Sequence, residues 1–215
     1  MNAKPEIKSI ELYIAPGCPH CPNMIKMTSE MVKKGDIAKL DIINIAEATE
    51  LASQVGIRSV PAFRINGVVL TGVHTAAELQ DWLNKAGSEA QADYYNQAFE
   101  QGQLDEIIAR LENDTEDMSL LLQMSANLET PLTSRIGISA VFEHFAGQAP
   151  LVNLLDDICH LAESEDNSVR VDMAHFLGLT QNKNALACLQ KLLDDPFEDV
   201  RETAQDAVEL IQDNL

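Results

Sequence analysis

Two cysteines separated by only two residues, Cys18 and Cys21 in the run Cys18, Pro19, His20, Cys21, constrain this chain more than any other feature. They follow an apolar run, Ile10 to Ala15, and precede a segment whose Met24, Ile25, Thr28, Met31 and Val32 recur at the spacing of one helix face. A cysteine at such a strand-to-helix junction meets unsatisfied backbone N–H groups and the positive end of the helix dipole, and both favour thiolate over thiol. Cys18 is therefore read as a nucleophile, Pro19 as the first helical residue, and Cys21, about one turn on, as the partner that closes a disulfide with it. His20, when protonated, adds positive charge beside the thiolate, and no acidic residue lies between Tyr13 and Ser29 to oppose it. A pair of this kind can also supply two of four zinc ligands, the others coming from His20, Cys159 or a second chain. No second pair has zinc-site spacing, so the pair is read as redox-active, with no metal and no other cofactor expected.

The elements around it can be ordered. Ile7 to Ile14 and the β-rich Lys39 to Ile45 read as strands, Pro19 to Lys34 as a helix stopped by Gly35, and Glu47 to Val55 as a short helix stopped by Gly56. Ala62 to Ile65 and Val68 to Thr71 flank Asn66 and Gly67, a hairpin signal. Thr75 with Glu78 matches a capping box before a helix carrying Leu79, Trp82 and Leu83. The order βαβαββα predicts an α/β sandwich with a four-stranded mixed sheet.

Charge divides the 215 residues unevenly. Residues 1 to 86 hold nine basic and nine acidic side chains, whereas 87 to 215 hold six basic and 25 acidic ones and so carry the whole net charge of −19. That excess excludes generic nucleic-acid binding, which needs clustered Lys and Arg. Residues 87 to 93, small and polar, are expected to be a linker between domains at 1–86 and 94–215. Beyond them, leucine-rich amphipathic segments succeed one another without a strand. Arg170 is followed by Met173, Ala174, Phe176, Leu177 and Gly178, and Arg201 by Ala204, Ala207 and Val208 at matching offsets, a period of 31; a weaker copy starts at Arg135, 35 residues upstream of Arg170. Helical repeats of about 30 to 45 residues predict an α-solenoid.

The CxxC at a βα turn, followed about 40 residues later by Val60 and Pro61 before the third strand, resembles the thioredoxin superfamily over residues 7 to 86. The resemblance implies that Pro61 is cis and packs against the CxxC, and that Val60 offers its backbone to the substrate. The Asn66–Gly67 hairpin and Gly72 fall on family positions too. The compact length is more similar to glutaredoxin and small glutaredoxin-like domains than to full thioredoxin. Gly17 and Leu12 stand where many thioredoxins carry Trp and a buried Asp, so the usual proton acceptor is missing, and His20 replaces the Tyr of glutaredoxin. The Pro-His dipeptide resembles that of the oxidising periplasmic enzyme DsbA, which implies a less reducing couple than thioredoxin's. Residues 166 to 212 resemble HEAT repeats of the phycobilisome-lyase type, in which arginines such as Arg135, Arg170 and Arg201 pair with acidic residues of neighbouring units.

The remaining candidates have plainer readings. Cys159 and Cys188 lie in apolar helical runs and are expected as free core residues, the alternative being that one accepts the disulfide from Cys21. His74 is read as a surface histidine, His144, His160 and His175 as siteless, and Met24, Met27 and Met31 as helix core. No apolar run approaches the roughly 20 residues that cross a bilayer, and no small-residue cleavage site follows the first apolar run, so a cytoplasmic protein is expected. Together these readings predict a cytoplasmic thiol–disulfide oxidoreductase that acts on a protein disulfide or thiol and exchanges electrons with a donor or acceptor protein. Cys18 and Cys21 are its catalytic pair, Pro19 and His20 tune the thiolate, and Val60 and Pro61 shape the groove. The acidic helical domain is expected to bind a protein partner. The competing class is a non-catalytic adaptor whose CxxC is a redox sensor or metal clip.

Overall fold

The computed structural model describes residues 7–85 and 87–214. It divides into two compact units, residues 1–94 and 95–215. Part of the charged lead-in to the first strand, residues 1–6, lies outside the described residues.

In the first unit β1 (Ser9–Ile14), α1 (Cys21–Lys34), β2 (Lys39–Asn44), α2 (Thr49–Gln54), β3 (Ala62–Ile65), β4 (Val68–Thr71) and α3 (Ala76–Asn84) follow the expected βαβαββα order. The sheet runs β2-β1-β3-β4, with β1 parallel to β2 and antiparallel to β3, and β3 antiparallel to β4. Strand alternation sorts the side chains onto two faces. Ile10, Leu12, Phe63, Ile65, Val68 and Leu70 meet Met24 and Met31 of α1 and Leu79, Trp82 and Leu83 of α3. Tyr13 and Ala62 point the other way, onto Ala52 and Ile57. Each of the larger buried side chains contributes about 1.5–3 kcal/mol relative to an exposed position.

The β3–β4 hairpin turns at Asn66 (φ 51°) and Gly67 (φ 82°), the two consecutive positive-φ positions that a tight hairpin needs. The Asn66 amide also donates to the carbonyls of Trp82 and Lys85, at 2.8 Å each, and so ties the hairpin to the end of α3. Thr75 and Glu78 form the expected capping box: the Thr75 N–H donates to the Glu78 carboxylate at 2.7 Å, and the Glu78 N–H to the Thr75 hydroxyl at 3.3 Å.

Several boundaries differ from the sequence reading: β1 begins at Ser9 rather than Ile7, and α2 spans Thr49–Gln54 rather than Glu47 to Val55. Helix α1 begins at Cys21 rather than Pro19. Residues 87–93, expected as a linker, form the first half of α4 (Gly87–Glu100). The reason is packing: Ala90 is fully buried in the first unit's core with Tyr94 against it, and Asp93 pairs with Lys85 at 2.6 Å. Small polar composition marks a linker only where no such contact exists.

The second unit continues through α5 (Leu104–Asn113), α6 (Met118–Ala126), α7 (Leu132–His144), α8 (Ala149–Val152), α9 (Leu155–Leu161), α10 (Asn167–Leu179), a 3-10 turn at Lys183–Ala185, α11 (Leu186–Leu192) and α12 (Glu198–Asp213), with no strand among its described residues. Its centre is α10, whose Met173, Ala174 and Leu177 are fully buried, as are Val200, Ala204 and Ile211 of α12. A methyl group added to Gly178 would stand 2.9 Å from the Ala207 backbone, so the absence of a side chain at Gly178 permits this close approach.

The three repeating arginines behave unequally. Arg170 grips Asp195 through two nitrogens, at 2.7 and 3.0 Å, and donates to the carbonyls of Ser164 and Glu165. Arg135 pairs with Asp172 at 2.6 Å. Arg201, expected to pair with a carboxylate, instead donates to the backbone carbonyl of Asp195 at 2.7 Å. The Asp195 carboxylate is already committed to Arg170 and to the Phe197 N–H.

Candidate active site

The cysteine loop hangs from the carboxyl end of β1. Residues 15–20 turn away from the strand, with the Cys18 N–H donating to the Ala15 carbonyl at 3.3 Å, and His20 forms the N-cap of α1. Pro22, rather than Pro19, occupies the first helical turn, where a missing N–H costs nothing. Cys18 and Cys21 are joined by a disulfide, their Cα atoms 5.5 Å apart.

The two sulfurs are not equivalent. Cys21 is buried, at 3% exposure, whereas Cys18 is half-buried and stands next to the exposed Pro19 and His20. The Cys21 N–H points at the Cys18 sulfur from 3.1 Å. A thiolate at Cys18 would therefore receive a backbone hydrogen bond at the N-terminus of a 14-residue helix with no acidic residue in its first turn. This arrangement suits an outer sulfur that attacks and an inner one that resolves.

Val60 and Pro61 immediately precede β3, and their peptide bond is cis. Tyr13 pairs with Ala62 in the sheet register, so Pro61 and the cysteine loop leave the sheet at the same end. Pro61 is buried, Val60 half-buried, and the Pro61 carbonyl accepts from the Gly72 N–H at 2.8 Å. The sequence reading had His74 on the surface. Its ring is half-buried, edge-on to Phe63 with centroids 5.7 Å apart, and one nitrogen lies 3.1 Å from the Thr71 carbonyl. Glu78 stands 3.8 Å from the other nitrogen, and the Thr75 N–H and hydroxyl hold its carboxyl below the ordinary range.

Sequence reasoning did not find Tyr13 and Glu11. The buried Tyr13 hydroxyl donates to Glu11 at 2.5 Å, and burial first, then Glu11, pushes its ionisation well above the usual value. Their two-residue spacing on one strand was the available signal.

The larger correction concerns Cys159 and Cys188. Expected as free core residues, they are half-buried and joined by a disulfide, with Cα atoms 5.7 Å apart. Helical periodicity gives the face each residue occupies but not that residues 29 positions apart lie side by side. Among the described residues no group of three or more His, Cys, Asp or Glu could hold a metal ion, and no helix is long and apolar enough to cross a membrane.

Residues 8–84 match the thioredoxin domain family. A probable thioredoxin of Methanothermobacter thermautotrophicus is 36% identical over 80 residues, covering 36% of this chain and 94% of the relative. The thioredoxin of Methanocaldococcus jannaschii is 35% identical over 78 residues, 35% of this chain and 92% of the relative. The chain belongs to the thioredoxin family. It therefore carries a thiol–disulfide oxidoreductase-like domain, and the disulfide-bonded Cys18 and Cys21 form its CxxC pair. A probable thioredoxin of Archaeoglobus fulgidus is 32% identical over 78 residues, 35% of this chain and 86% of the relative. These matches run almost the full length of compact thioredoxins, the comparison that bears on the resemblance to glutaredoxin. The helical unit lies outside the matched residues.

Proposed function

We propose that this chain is a cytoplasmic thiol–disulfide oxidoreductase dedicated to a protein partner, with catalysis in the first unit and partner binding in an acidic, HEAT-like second unit. The observation that carries the reading is the asymmetry of the pair: a half-buried Cys18 whose sulfur faces the Cys21 N–H, beside the exposed Pro19 and His20, and a buried Cys21 behind it.

With the pair reduced, the Cys18 thiolate attacks one sulfur of a substrate disulfide. A mixed disulfide forms and the other substrate sulfur leaves as a thiolate that takes up a proton. The Cys21 thiol, losing its proton, then attacks the Cys18 sulfur, closes the Cys18–Cys21 disulfide and releases the second substrate thiol. The substrate has gained two electrons and two protons, and a dithiol electron-donor protein restores the pair. A dithiol substrate drives the same two steps in reverse. Pro19 and His20 adjust the thiolate's stability, and Val60 and Pro61 shape the surface on which the substrate backbone lies.

Partner binding by the second unit is supported by the net charge of −19 over residues 87 to 215, which steers a basic surface. It is supported further by Leu132 and Ile136, exposed one turn apart on α7 at 69% and 62%.

The test is a Cys21→Ser variant of the full chain, which leaves the mixed disulfide at Cys18 unresolved. Expressed in the native cell, it is expected to retain a small set of proteins as mixed disulfides, and with the purified variant capture of a basic disulfide substrate is expected to slow as salt rises from roughly 0.05 to 0.5 M because screening removes the steering. Retention of nothing, with no reduction of a test disulfide by the unaltered chain, would point to the adaptor reading instead.

A further inference from the structure

The second unit carries a disulfide for which the mechanism above has no use. Cys159 lies on α9 and Cys188 on α11, so their bond links two helices covalently. A cross-link that serves stability alone is best protected by burial, because exchange requires a thiolate to reach one of the sulfurs. Here both cysteines are half-buried and line a pocket of about 230 Å³, together with His160, Glu163, Lys191 and Leu192. That volume admits a small thiol or the tip of a cysteine-bearing loop. The Lys191 ammonium lies 2.7 Å from Glu163, so this pair brings no net negative charge to a departing thiolate. Without the bond, α11 is held by the buried Leu189 and Leu192 and by the exposed Lys191–Glu163 pair.

We propose that Cys159–Cys188 is a second thiol–disulfide exchange site, a latch between α9 and α11 that a dithiol opens. One sulfur of the dithiol attacks Cys159 or Cys188 as a thiolate. The bond between the two cysteines breaks, a mixed disulfide forms, and the leaving thiolate takes up a proton. The second sulfur of the dithiol attacks the mixed disulfide, releasing the other cysteine as a thiol. The dithiol is oxidised to a disulfide, and two electrons and two protons end on Cys159 and Cys188. The dithiol can be a separate molecule or the reduced Cys18/Cys21 pair of this chain; the latter source rests on the function proposed above. Residues 1 to 86, with nine basic and nine acidic groups, are free of the repulsion that an anionic thiol meets near the acidic helices.

Two full-length variants test this. Cys18→Ser/Cys21→Ser retains only the second pair. Treated with dithiothreitol under native conditions, alkylated and mapped by mass, it is expected to show thiols at Cys159 and Cys188, and amide exchange in α11 at least tenfold faster than in the oxidised protein. Thiols that appear only after denaturant is added, or unchanged exchange in α11, would overturn the proposal. Cys159→Ser/Cys188→Ser, reduced and freed of reagent, is then mixed with the oxidised first variant. Transfer of thiols to Cys159 and Cys188 identifies this chain as the source. Reduction of a small aromatic disulfide without that transfer overturns this chain as the source and leaves a separate dithiol. If neither disulfide is reduced, the catalytic reading of Cys18 and Cys21 fails, while the dithiothreitol result still decides the second site.

Discussion

Each unit of this protein holds one disulfide, and the two differ in almost every physical respect. Cys18–Cys21 closes a loop of sequence separation 3 at the mouth of a helix, whereas Cys159–Cys188 spans 29 positions and joins two helices. Loop-closure entropy grows with the logarithm of loop length, so the short bond restrains the unfolded chain about half as much as the long one. Opening and closing the short bond therefore disturbs the fold less. The long bond couples its redox state to the stability of the helices around it. The same covalent chemistry thus does different work according to where the backbone places the two sulfurs.

The largest expected effect separates chemistry from stability. Cys18→Ser is expected to lower turnover of a small aromatic disulfide by roughly a thousandfold or more, because the attacking atom is gone. The far-ultraviolet unfolding curve, dominated by the helical unit, should stay within about 0.5 kcal/mol of the unaltered protein. A shift of several kcal/mol in the unfolding curve read by Trp82 fluorescence, which reports the first unit, would mean that the short disulfide is structural after all.

Cys159→Ser/Cys188→Ser should do the reverse. It is expected to destabilise the helical unit by about 3–4 kcal/mol, the chain-entropy figure for a loop of this length. Fluorescence of Trp82, the one tryptophan, reports the first unit alone and should show little change.

Replacing Arg170 tests the helical unit by another route. Arg170→Met leaves the nearly buried Asp195 carboxylate without its guanidinium partner and is expected to destabilise by about 2–4 kcal/mol in denaturant titrations near neutral pH. The pH dependence follows the same pair. Hydrogen bonds from Arg170 hold the Asp195 carboxyl below its ordinary range. Its contribution is therefore fully present above the unfolded-state value of about 3.9 and is lost as pH falls through the lowered folded value. In Arg170→Met that acid-sensitive limb should flatten. A limb as steep as before would assign it to other carboxylates.

Smaller effects probe the packing and the cap. A side chain at Gly178 collides with the Ala207 backbone, so Gly178→Ala is expected to destabilise the helical unit by about 1–3 kcal/mol, although alanine is the better helix former. Thr75→Ala removes the capping box of α3 and should lower the stability read by Trp82 fluorescence by about 1 kcal/mol, leaving the helical unit unchanged.

How much of this was legible beforehand depended on how local each signal was. Strands β3 and β4 and the Thr75 cap fall where the sequence placed them, because a hairpin turn and a capping box involve residues within four positions of one another. The start of α1 was misplaced by two residues because two prolines, Pro19 and Pro22, each fit a first helical turn, and only the bend at Ala15 to His20 chose between them. Residues 87–93 looked like a linker because the burial of Ala90 against another element has no trace in local composition.

The amino-acid sequence by itself determined the α/β order of the first unit, the pairing of Cys18 with Cys21, the charge division and the helical character of the second unit. All four rest on periodicity, short spacings or simple counts, which act within a few residues or do not depend on conformation at all. Only the tertiary structure decided that Cys21 is the buried cysteine and Cys18 the half-buried one, that Arg170 rather than Arg201 holds the Asp195 carboxylate, and that Cys159 meets Cys188. Each of those depends on which surfaces of distant segments come to face one another, and that is set by packing of the whole unit rather than by any stretch of the chain.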